Sequence, residues 1–73
     1  MTFLKVKEIF ENVTGDDNLK LNYSSSFKEL GINRESVNQA IEDIEREYDI
    51  SITNSDKIKT FGELMGFINA LNG

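Results

Sequence analysis

Three segments of this chain repeat apolar residues at spacings of three and four, while the eighteen residues between the first two do not. That pattern calls for amphipathic helices around one shared core. The long aperiodic connection must then either pack down on its own side chains or serve a function. In TFLKVKEIFENVTG, Phe3, Val6, Phe10 and Val13 share a face, with Ile9 on its flank. Thr2 suits the N-cap of this helix and Gly15 its C-terminal stop.

The connection, DDNLKLNYSSSFKELGIN, offers Leu19, Leu21, Phe27, Leu30 and Ile32 as anchors. Its serines, Ser24 to Ser26, read as a polar loop before Phe27, with the look of a short capped turn. Asn33 is then an N-cap for the strongest helical pattern, in which Val37, Ala40, Ile41, Ile44 and Tyr48 recur on one side. ISITN is β-branched and predicts extended chain, and SDKIK predicts a short helical turn. In TFGELMGFINALNG, Phe61, Leu64, Met65, Ile68 and Leu71 point inward. Thr60 caps this last helix, with Glu63 completing a capping box. Phe3, Phe10, Phe27, Tyr48, Phe61 and Phe67 are the aromatic candidates for the core.

Composition narrows the function. Seventy-three residues make one domain, and a chain this short buries about 60% of its unfolded surface. With no cysteine and no histidine, disulfides, thiolate metal sites and the usual general base are excluded. Eight basic and thirteen acidic residues give a net charge of −5, which argues against nucleic acid or an anionic membrane as the partner. From Arg34 to Asp49 there are six acids and two arginines, a balance of −4, so the second helix holds most of that charge. The opening MTFLKVKE lacks a signal-peptide core, and no apolar run is long enough to span a bilayer. A cytoplasmic monomer is the expectation. Glu42, Asp43, Glu45, Glu47 and Asp49 splay around a helix rather than converge, so no dedicated metal site is expected. No pair of carboxylates is set up for acid–base catalysis, so the chain is not read as an enzyme.

The order of these elements resembles the acyl carrier protein family over nearly the whole chain. VKEIFENVTG is similar to its opening helix. FKELGIN is similar to the approach to its second helix, where members show L-G-x-[DN]-S-[LIM]. REYDISI is similar to E-[FY]-[DG]-[IT]-x-I, and DKIKTFGELMGFIN to the closing helix. The resemblance implies an all-α fold, a small bundle of three main helices plus one short helix with a long loop between helices one and two, spanning 1–73 as a single domain. It also implies a 4′-phosphopantetheine arm on the serine of D-S-L. The second helix would dock on basic patches of synthases and transferases in fatty-acid, polyketide or peptide assembly.

The register puts Arg34 where that serine belongs. Family members keep about fourteen residues between the serine and the aromatic of the [FY]-D pair, and fourteen back from Tyr48 is Arg34. Counting forward from Leu30-Gly31 gives the same position. Asn33 then takes the Asp/Asn place, and Glu35 replaces the leucine. Against this, Glu35-Ser36-Val37 imitates D-S-L and offers Ser36 as an alternative attachment site. A shift of two along a helix is about 200° of rotation, so both cannot serve. Otherwise Ser36 is a polar first-turn residue. Arg34, in turn, is either a solvated charge on the outward edge with Asn38, Glu42 and Glu45, or a block to the transferase that attaches the arm.

Three functions follow. The leading one is a carrier-like module without a covalent arm, docking through Asn38, Glu42, Asp43, Glu45 and Glu47. The second is a true acyl or peptidyl carrier modified at Ser36. The third is a small structural adaptor that shares the bundle.

Overall fold

The computed structural model describes residues 2–72, with side chains from 3 to 71. Helix α1 spans Thr2–Thr14, α2 Arg34–Tyr48 and α3 Phe61–Asn72, with one 3₁₀ turn at Ser55–Lys57. The expected three main helices and one short one are therefore present, and the short one is a single 3₁₀ turn. Thr2, expected as the N-cap, is instead the first helical residue, and its side chain lies outside the described residues.

Each helix end has a local cause. At Gly15, φ is +76° and the amide donates to Glu11 O at 2.8 Å, a left-handed stop that glycine adopts without strain. Asn33 caps α2, its Oδ1 accepting from the Ser36 amide at 2.8 Å. Asp49 closes the same helix in the left-handed region, donating its amide to Glu45 O. Thr60 and Glu63 form the expected capping box on α3. The Thr60 amide donates to Glu63 Oε1 at 3.0 Å, and the Glu63 amide to Thr60 Oγ1 at 3.1 Å.

The core draws on all three α-helices and on the segments that connect them. Val6, Ile9 and Phe10 of α1 meet Val37, Ala40, Ile41 and Ile44 of α2 and Phe61, Leu64, Met65 and Ile68 of α3, all buried. From the connecting segments, Leu19, Phe27, Ile32, Ile52 and Ile58 join them. Phe10 stacks on Phe27 at 5.3 Å between centroids, and Phe61 meets Phe3 edge-on at 5.5 Å. Two inward expectations fail. Phe67 is 38% exposed and Leu71 48% exposed. At 100° per residue Phe67 lies about 110° from the centre of the Phe61–Ile68 stripe. Leu71 sits in the last turn, beyond the buried layer.

The eighteen-residue connection is packed, not loose. Phe27 donates its amide to Lys59 O at 2.9 Å, Gly62 to Tyr23 O at 3.0 Å, and Ser26 bridges Thr60 in antiparallel fashion. A second capping box fastens it: Ser26 N donates to Glu29 Oε1 at 2.9 Å and Glu29 N to Ser26 Oγ at 3.1 Å. Gly31, with φ +77°, ends that turn, and Ile32 N returns to Phe27 O at 2.9 Å. The connection thereby delivers Asn33 and the start of α2 beside the 3₁₀ turn.

Candidate functional site at the start of the second helix

Arg34 is the first residue of α2 and Ser36 the third. The Arg34 side chain turns back from the outward edge. Its guanidinium donates to Ser55 O at 3.1 Å and to Ile58 O at 3.0 Å, in a half-buried position. The solvated-charge reading of Arg34 is therefore corrected: the cation binds the carbonyls of the first residue of the 3₁₀ turn and of the residue that follows it. A cation in the first turn of a helix opposes its dipole by about 0.3–1 kcal/mol, and bonds to two carbonyls exceed that.

Ser36 is half-buried, and its amide is taken by Asn33. Its hydroxyl makes no hydrogen bond among the described residues. Arg34 and Ser36 thus share one helical turn but not one environment.

The acidic residues of α2 divide into two groups. Glu45 Oε2 accepts from the Ile52 amide at 2.7 Å, so this carboxylate anchors the extended segment after the helix. Asp43 is paired with Arg46 and accepts from Gln39 Nε2 at 3.3 Å. Glu47 lies 3.9 Å from Lys5 of α1. Asn38 and Glu42 are exposed, with no partner among the described residues. Of the five residues expected to dock, Glu45 is the one held by the fold's own backbone. Among the described residues no group of acids converges as metal ligands would, and no helix is long and apolar enough to cross a membrane.

Beside Arg34 lies a cleft of about 500 Å³, lined by Phe27, Ile32 and Val37 together with Lys28, Arg34 and Lys59. Sequence reasoning missed the two lysines. They are thirty-one residues apart, and no local pattern announces that the loop and the approach to α3 pack side by side.

The described residues thus form a small bundle of three helices whose long first connection delivers a capped, acidic second helix. The chain is 33% identical to the acyl carrier protein of Streptococcus thermophilus over 66 residues, covering 90% of this chain and 89% of that protein. The acyl carrier protein of Streptococcus pneumoniae is 32% identical over the same shares. No family model matches the chain, and no solved structure matches it. The chain belongs to the acyl carrier protein family.

Proposed function

We propose that this member of the family acts by protein contact through α2 and bears no 4′-phosphopantetheine arm. The observation that carries the reading is Arg34, committed to the carbonyls of Ser55 and Ile58 at the helix start where the resemblance places the attachment serine. A guanidinium has no hydroxyl with which to form the phosphodiester, so the residue at that position does not fit the arm. Ser36 lies about 200° around the helix from it, half-buried. Docking is supported by the exposed Asn38 and Glu42, flanked by Asp43 and Glu47, which suit a basic patch on a synthase or transferase of an acyl-chain pathway. In this reading the protein works as a cytoplasmic monomer and performs no chemistry itself.

A second reading is favoured by one feature, the free Ser36 hydroxyl in the first turn of α2: a carrier modified at Ser36. Intact mass after incubation with coenzyme A and a broad-specificity phosphopantetheinyl transferase separates the two. No gain by the wild type, with a gain by the Arg34→Ser variant, supports the module without an arm. A gain by the wild type that disappears in Ser36→Ala overturns it.

A further inference from the structure

Charged residues avoid the last helix. The chain has eight basic and thirteen acidic residues, yet Glu63 is the single charged one in α3. The outward side of α3 carries Gly66, Phe67, Asn69, Ala70 and Leu71, all exposed. Between α3 and the 3₁₀ turn runs an open groove of about 520 Å³, with Ile58, Gly66, Phe67 and Ala70 as its apolar lining. Its two charged residues are Lys57 and Glu63, one of each sign. We propose that a second copy of this chain occupies the groove, in a weak two-fold contact of α3 against α3.

Charge selects the occupant. Two chains of net charge −5 repel each other in most orientations, and a contact through this neutral groove sets no acidic face against another. Shape agrees. Phe67 projects into solvent beside Gly66, where even an added Cβ would meet nothing within 4 Å. A two-fold axis makes a patch bind its own copy, so a knob must lie next to its hole. With two α3 helices antiparallel about an axis between positions 66 and 67, each Phe67 falls opposite the other copy's Gly66. Position 63 then falls opposite position 70. Glu63 thereby enters the groove that holds the other copy's Lys57, with Oε2 available because the bonds it accepts end on Oε1. Area sets the strength. A twelve-residue helix is about 18 Å long, so the contact stays below the roughly 800 Å² per partner of a standard interface. A Kd of about 0.1–1 mM follows, which leaves the dilute chain monomeric. No residue of α2 lines the groove, so the inference is independent of docking through that helix.

The test is sedimentation equilibrium of the full chain from about 10 μM to about 2 mM, with amide chemical shifts followed over the same range. The average mass should climb from that of one chain towards that of two, with shifts at Gly66, Phe67 and Ala70. Phe67→Ser, an exposed change, should weaken association at least about tenfold while amide dispersion stays native. Leu4→Ser removes an exposed apolar side chain of α1 outside the groove and should leave association as it is. Lys57→Glu sets an acid against the other copy's Glu63 and should weaken association about threefold, independently of Phe67. A single-chain mass throughout the range would overturn the proposal. So would association of wild-type strength in Phe67→Ser or in Lys57→Glu, or a loss in Leu4→Ser as large as that in Phe67→Ser.

Discussion

The guanidinium of Arg34 and the carbonyl of Ile58, twenty-four residues apart in sequence, meet at 3.0 Å, while the same side chain reaches Ser55 O at 3.1 Å. This clip joins the start of α2 to the turn that leads into α3. Arg34→Met keeps the apolar stem and removes both bonds, and is expected to lower stability by about 1–3 kcal/mol. Arg34→Lys should recover only part of that, because an ammonium lacks the fork that spans two carbonyls. Urea unfolding of the three proteins measures it. An unchanged midpoint in Arg34→Met would mean that the guanidinium contributes nothing to the fold.

Gly62 and Gly66 lie on the same helix and should respond oppositely to alanine. A Cβ at Gly62 would stand 2.6 Å from Tyr23 O, the acceptor of the Gly62 amide, whereas one at Gly66 meets nothing within 4 Å. Gly62→Ala must push the loop off α3, and a loss of about 1–3 kcal/mol is expected. Gly66→Ala removes only the helix penalty of glycine and should gain up to about 1 kcal/mol. Thermal melts of the pair decide, and a stabilised Gly62→Ala would show that the loop gives way freely.

Glu29 and Glu63 both titrate below the ordinary carboxylate value of 4.5, because each accepts backbone amides, Glu29 chiefly that of Ser26 and Glu63 chiefly that of Lys59, just before its capping box, and then that of Thr60. A depressed value in the folded state means that the unfolded chain takes up protons first. The stabilisation is therefore full above about pH 4.5 and is lost as pH falls through the lower folded values. Glu29→Gln with Glu63→Gln keeps the acceptor oxygens and removes the titration. Its urea midpoint should fall less than that of the wild type as pH is lowered from neutral through the carboxylate range. Parallel curves for the two proteins would rule this linkage out.

The fold was legible wherever the cause was local. The caps at Asn33 and Thr60, the stop at Gly15 and the apolar stripe of α2 all depend on residues within a turn of each other. Phe67 departs from the core expected of an aromatic because its angle around α3 sets it to one side of the Phe61–Ile68 stripe. The site was harder. Register placed Arg34 at the helix start, but nothing near it in sequence reveals Ser55 and Ile58 as its partners. Glu45 similarly read as one more surface acid, since its partner Ile52 lies beyond the end of its own helix. Long-range hydrogen bonds of single side chains leave no periodic trace.

That division within α2 separates acids that hold the fold from acids free to meet a partner. Glu45→Ala leaves the Ile52 amide, half-buried beside Glu45, without its acceptor and should cost about 1–3 kcal/mol. Glu42→Lys alters an exposed position with no partner among the described residues, so stability should stay within about 0.5 kcal/mol. On a basic acyl-chain synthase the order reverses. Glu42→Lys places a cation against the partner's cations and should slow association and flatten its salt dependence. Glu45→Ala should bind nearly as the wild type does once folded. Urea unfolding and association rates at two ionic strengths, run on both variants, test this. Equal binding by Glu42→Lys and the wild type would move the docking face away from α2.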